Sequence, residues 1–139
     1  MTDLSLTVQK RIPAPPAKVY AAWLDPRMLM LFMMPGPGMT TPSADTDPKV
    51  GGRFNLVMSD GAKDIPHAGT YLELTPHSRI AFTWESPHSA DGSTVTLDFV
   101  PDGDATLVTL TQIRFASEGS REGHRSGWTA IVDALAAIF

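Results

Sequence analysis

The apolar residues of this chain change their spacing once, after Ile113, and that change limits what it can fold into. Before it, they recur mainly at every second position. Leu4, Leu6, Val8 and Ile12 alternate with Ser5, Thr7, Gln9 and Arg11, the mark of a strand with one buried face. Val95, Leu97 and Phe99 alternate with Thr94, Thr96 and Asp98, and Val108 and Leu110 alternate with Thr109 and Thr111. Beyond Ile113 the spacing becomes three and four. Trp128, Ile131, Val132, Leu135, Ile138 and Phe139 form one stripe, with Arg121, Glu122, Arg125 and Asp133 off it, which predicts an amphipathic helix. About 20 residues of helix span ~30 Å, enough to cross a small domain. Strands wet on one face and a helix apolar on one face are stable only when those faces cover each other.

The remaining elements fit around that pair. The first strand stops at Pro13, and Pro15-Pro16 opens a short helix over residues 15–25 carrying Val19, Tyr20, Trp23 and Leu24, proline being tolerated in a first helical turn. Pro26 starts a second short helix through Phe32. A loop dense in breakers follows, Pro35-Gly36-Pro37-Gly38 and then Pro42, leading to Gly51-Gly52 and a strand with Phe54, Leu56 and Met58 on one face. Asp60-Gly61 is a hairpin signal. A further strand runs around Gly69–Leu74 and ends at Pro76; the next holds Ile80, Phe82 and Trp84. Short turns between successive strands make the pairing antiparallel. The expected class is α+β: a curved antiparallel sheet of six to seven strands, two short helices after strand 1, and a long C-terminal helix across the sheet. Residues 1–139 are read as a single domain, since 139 residues is about one domain's length.

Composition narrows the function classes. A chain of this size buries roughly 68–70% of its unfolded surface, so a core forms without staples. The absence of cysteine excludes disulfides, thiolate catalysis and cysteine-ligated zinc. A formal charge of −4 with scattered Lys and Arg argues against nucleic acid as a partner. No basic-then-apolar leader opens the sequence and no apolar run reaches membrane-spanning length, so a cytoplasmic protein with no membrane span is expected. Its oligomeric state is expected to be monomer or homodimer.

Read in order, several segments resemble one family. They are Ile12-Pro13-Ala14-Pro15-Pro16-Ala17-Lys18-Val19-Tyr20-Ala21-Ala22-Trp23, Asp47-Pro48-Lys49-Val50-Gly51-Gly52-Arg53-Phe54, Gly69-Thr70-Tyr71-Leu72-Glu73-Leu74-Thr75-Pro76, Arg79-Ile80-Ala81-Phe82-Thr83-Trp84, Thr106-Leu107-Val108-Thr109-Leu110-Thr111 and His124-Arg125-Ser126-Gly127-Trp128. Together they resemble the activator-of-heat-shock-protein-90-ATPase homologue family, a branch of the START-like (birch-pollen-allergen-like) helix-grip superfamily. The resemblance implies the helix-grip fold and a cavity between sheet and C-terminal helix; it implies no one activity, because the superfamily holds carriers, sensors, co-chaperones and a few cyclases. Two positions depart from the family pattern. Phe32-Met33-Met34 stands where a tryptophan or tyrosine is usual after the second helix, and Gln112 where a histidine is frequent near the end of the last strand. A more flexible mouth and a less basic lining are expected from them.

The candidate cavity residues are Phe32, Met33, Met34, Phe54, Leu56, Tyr71, Phe82, Trp84, Leu97, Phe99, Val108, Leu110, Gln112, Trp128, Ile131, Val132 and Leu135. Five methionines, Met28, Met30, Met33, Met34 and Met39, crowd the second helix and the following loop. Such flexible, polarizable side chains suit either a lid over an apolar cavity or gap-filling in a core. Gln112 either orients a ligand or bonds a neighbouring backbone group. His67, His77, His88 and His124 show no one-, three- or four-residue pairing and are expected at the surface, with no metal site and no cofactor. Ser120 and His124 lie one helical turn apart, but no positioned carboxylate or nucleophile elbow accompanies them, so no catalytic residue is assigned. Three functions compete: a non-catalytic binding domain for a small apolar or aromatic ligand, a chaperone-interaction module, and a cyclase- or hydratase-type enzyme using Tyr71, His67 or Gln112.

Overall fold

In the computed structural model, which describes residues 4–139, the chain runs β1 (Ser5–Ile12), α1 (Pro16–Ala22), α2 (Pro26–Phe32), β2 (Thr40–Thr46), β3 (Arg53–Ser59), β4 (Asp64–Thr75), β5 (Arg79–Thr83), β6 (Thr94–Asp102), β7 (Ala105–Ile113) and α3 (Glu118–Ala137). All seven strands join one antiparallel sheet in the order β1-β7-β6-β5-β4-β3-β2. Strand 1 pairs with strand 7, the first and last strands in the chain, and α3 packs against β1 and α2. This is the α+β order that the period change predicts and the helix-grip arrangement that the family resemblance implies.

Each helix starts where local chemistry permits. Pro16 and Pro26 occupy first-turn positions of α1 and α2, and the Asp25 carboxylate caps α2 by accepting from the Arg27 amide at 2.9 Å. Ser117 caps α3, its hydroxyl accepting from the Ser120 amide at 3.1 Å; such caps contribute about 1 kcal/mol each. The α3 stripe buries Trp128, Ile131, Val132 and Leu135, each stabilising the fold by roughly 1.5–3 kcal/mol.

Several boundaries differ from the sequence reading; β5 ends at Thr83, so Trp84 lies just past the strand rather than within it. Helix α1 closes at Ala22, and Trp23 and Leu24 form the turn into α2. Strand β2 lies inside the segment read as a loop. It is an edge strand, and its register shifts between Thr40 and Ser43, around Pro42; an edge and a bulge are where a strand tolerates proline. Strand β4 begins at Asp64 rather than near Gly69, so the hairpin with β3 is full length and sets Met58 opposite Ile65, Leu56 opposite His67 and Phe54 opposite Gly69. Pro66 fits there because β5 pairs only with the Tyr71–Thr75 half of β4, leaving no neighbour that needs its missing N–H.

The sheet bends sharply along β4. A register shift separates Tyr71 from Glu73, and at Gly69 an added Cβ would sit 2.1 Å from the Thr83 carbonyl oxygen and 2.4 Å from the Phe54 ring. Only glycine admits so close an approach of backbone and aromatic ring.

Candidate functional site

The C-terminal half of α3 seals the grip. Val132 and Leu135 are buried in the main core, as are Leu97, Phe99, Val108 and Leu110 from β6 and β7. A second cluster fills the space under α2, where Phe32 meets Trp23 edge-on at 4.9 Å and Phe54, Tyr71, Phe82 and Trp84 pack ring against ring. Between these aromatics, Leu56 and Met33 there remains a void of only about 10 Å³, no larger than one water. Burial among these rings raises the Tyr71 phenol well above its usual range.

The N-terminal half of α3 does not seal. Beside His124, its chamber-facing residues there are Ser120, Gly123 and Gly127, which have little or no side chain, and next to them lies a chamber of about 450 Å³. Trp84 and Trp128, ring centroids 4.9 Å apart, form one wall. Met58 and Ile65 from the β3–β4 hairpin, Ile131 from α3, and Pro35 and Met39 from the α2–β2 loop supply the apolar remainder. Ser86 and His88 on the β5–β6 loop complete the rim with Ala116. Gly127 lets the loop approach, since a Cβ there would meet Pro35 at 3.2 Å; at Gly123 an added Cβ meets nothing within 4 Å.

Of the residues the sequence proposes for a cavity, Trp84, Trp128 and Ile131 line this chamber. Met34 is half-buried in the loop after α2, and the remaining thirteen, apart from Gln112, are packed in the two clusters just described. Gln112 is fully buried and both ends of its amide are engaged. Its Oε1 accepts from the Trp128 indole N–H at 2.6 Å, and its Nε2 donates to the Ser93 hydroxyl at 2.9 Å. The methionines divide by role: Met33 is core, Met39 borders the chamber and Met30 is exposed.

The sequence reading places all four histidines at the surface and names His67 only as a proton-handling candidate. Three of the four line the chamber: His67, His88 and His124. His67 is carried inward on β4 in the same alternation as Ile65, Gly69 and Tyr71, so an earlier strand start would have revealed it. His124 lies four residues before Trp128, on the α3 stripe. The His67 ring is tilted against Trp84 at 5.0 Å, and its Nδ1 is 3.1 Å from the Ile65 carbonyl oxygen. Burial lowers its pKa to about 4, opposed by the Ile65 hydrogen bond and reinforced by the neighbouring His124 and His88, so the ring is neutral at physiological pH. His124 packs on Phe115 with its Nδ1 2.8 Å from the Ser120 carbonyl oxygen. No cluster of three or more metal-ligating side chains exists among the described residues.

Residues 13–139 match the family described as Activator of Hsp90 ATPase homolog 1-like protein. No curated protein matches the chain. Among solved structures, a protein from Rhizobium loti is similar at 25% identity with a TM-score of 0.82, covering 99% of this chain and 98% of its own. An AHSA1-like protein from Aeromonas hydrophila is similar at 24% identity and a TM-score of 0.83, covering 96% and 90%. A Chromobacterium violaceum protein is similar at 24% identity and a TM-score of 0.82, covering 96% and 95%.

Proposed function

The chain belongs to the Activator of Hsp90 ATPase homolog 1-like family, and from that premise we propose that it is a non-catalytic binding domain holding one small apolar or aromatic molecule beside the N-terminal half of α3. The observation that carries this reading is the chamber itself. At about 450 Å³ it has the size of a small-molecule site, and its wall contains no carboxylate, lysine or arginine. Its apolar surface favours an apolar guest, and its few polar groups serve orientation. Of the three residues considered for proton handling, Gln112 is committed to Trp128 and Ser93, Tyr71 sits among core rings, and only His67 reaches the chamber.

The chaperone-docking reading draws on Met30 and Leu31, which are 40% and 54% exposed on α2. Two side chains make a small patch beside the several hundred Å² that usually mark an interaction face, so the chamber is the stronger basis.

The test uses the open position on α3. Gly123 borders the chamber and a Cβ added there meets nothing within 4 Å, so Gly123→Leu adds bulk at the chamber from a position with room for its first carbon. Titration with a lipophilic, environment-sensitive dye should quench the fluorescence of Trp84 and Trp128 with saturation at one dye per chain. Gly123→Leu should abolish that binding while thermal unfolding stays cooperative. Equal binding by wild type and Gly123→Leu, or no saturable binding at all, would overturn the proposal.

A further inference from the structure

Two imidazoles reach the chamber from elements that face each other, His67 from the sheet and His124 from the helix. In both rings Nδ1 lies against a backbone carbonyl oxygen, Ile65 at 3.1 Å and Ser120 at 2.8 Å. A carbonyl can only accept, so Nδ1 carries the hydrogen in each ring, and in the neutral tautomer Nε2 is a bare acceptor. Neither Nε2 has a hydrogen-bond partner among the described residues. Among the described residues, the buried side-chain nitrogens and oxygens lacking a partner are the Trp23 and Trp84 indole nitrogens alone. The half-buried His67 Nε2 is therefore not sealed off, and the space beside it is the chamber. Two imidazole acceptors thus face the chamber without a cation, since the wall offers no lysine or arginine to receive an anion, and the unpartnered Trp84 indole N–H is itself buried rather than open to the chamber. An apolar guest with no polar group would strip water from the His67 acceptor and return nothing, whereas a guest with a correctly placed O–H or N–H replaces that water.

Resting on the reading of the chamber as a ligand site, we infer that its ligand is an uncharged ring system bearing a hydrogen-bond donor, a phenol, alcohol or ring N–H, which donates to Nε2 of His67 with His124 as the second acceptor across the chamber. Carboxylates of the same shape are disfavoured, because their oxygens would face the lone pair of a neutral imidazole in a site with little water.

Four probes of one shape test this: 2-naphthol, 2-methoxynaphthalene, naphthalene and 2-naphthoate, each titrated by tryptophan fluorescence and calorimetry at neutral pH. The expected result is that 2-naphthol binds about tenfold more tightly than the two uncharged probes lacking a donor, with 2-naphthoate weakest. In His67→Phe, which keeps a flat ring and removes the acceptor, that preference should collapse while naphthalene binding persists. On the wild-type protein, NMR of the imidazole nitrogens should show the His67 Nε2 resonance moving with 2-naphthol and not with naphthalene, a readout independent of how the variant folds. Equal affinity for all three uncharged probes would overturn the inference and leave the chamber reading standing. Tightest binding by 2-naphthoate would also overturn it, since an anion calls for an imidazolium. Binding by none of the four would overturn the chamber reading and the inference with it.

Discussion

Gln112 shows how one polar residue shapes an apolar site. It stands on a β7 face otherwise set by Val108 and Leu110, and its amide joins Trp128 to Ser93, whose hydroxyl in turn donates to the Ile113 carbonyl at 2.9 Å. The indole is thereby fixed in rotation as well as position, and it is this indole that walls the chamber with Trp84. Gln112→Met keeps the volume and removes both hydrogen-bonding ends, leaving the Trp128 N–H buried without a partner. We expect a loss of about 2 kcal/mol in urea denaturation, the cost of one unsatisfied buried donor with part of a second bond. A loss below about 0.5 kcal/mol, the range of neutral surface changes, would mean the indole finds another acceptor and the amide is not its anchor. That Gln112 is unusual was legible from its place in a period-two face. Its partner was not, because the rotation of α3 about its axis is set by packing that no spacing in the sequence records.

At the scale of elements, β4 and α3 use glycine for opposite ends. In β4, Gly69 lets Phe54 and the Thr83 carbonyl close on the strand where the sheet bends; in α3, Gly123 leaves space unfilled. The same substitution should therefore have opposite signs. Gly69→Ala forces a Cβ to 2.1 Å from a backbone oxygen and is expected to lower stability by about 3 kcal/mol, in the upper range for overpacking. Gly123→Ala meets nothing within 4 Å and gains helix propensity of up to about 1 kcal/mol. Thermal unfolding of the pair checks this, and two changes of the same sign would refute the assignment. These elements also show where the sequence misleads. Pro42 reads as a breaker, yet it falls in an edge strand, and Pro66 sits within β4 at a position facing no neighbour. Whether a strand needs a given N–H depends on what lies beside it, which is a property of the sheet and not of the segment. A strand read from Gly69 onward leaves His67 outside it and at the surface, whereas β4 from Asp64 carries it into the chamber.

For the molecule as a whole, the chamber ties stability to pH. Every group of the folded state whose pKa departs from its unfolded value adds a slope, and here the slopes separate by pH. The carboxylates of Asp25, Asp60, Glu85 and Glu122 are held below their usual range, chiefly by Arg27, the Ala62 amide, Arg53 and Arg125 respectively. Their stabilisation is present above the unfolded carboxylate pKa, about 4, and disappears as pH falls further. His67 acts earlier. Its unfolded pKa is 6.5 and its folded value about 4, so between those values the unfolded chain binds the proton and the folded chain does not. Unfolding is then accompanied by proton uptake, and stability rises with pH across that window. On acidification from pH 7 the fold should lose stability from about pH 6.5 down to about pH 4, by about 3 kcal/mol in all at 1.36 kcal/mol per unit of pKa difference. Denaturant titrations of wild type and His67→Phe at half-unit pH steps separate the two contributions: the variant should be nearly flat between pH 6.5 and 4.5 and follow the wild type below that. A wild-type slope that survives in the variant would place the proton elsewhere. Saturating 2-naphthol should extend the wild-type slope to lower pH, because a donor bonded to Nε2 occupies the site where the proton must go, and ligand-induced stabilisation should shrink as that nitrogen protonates.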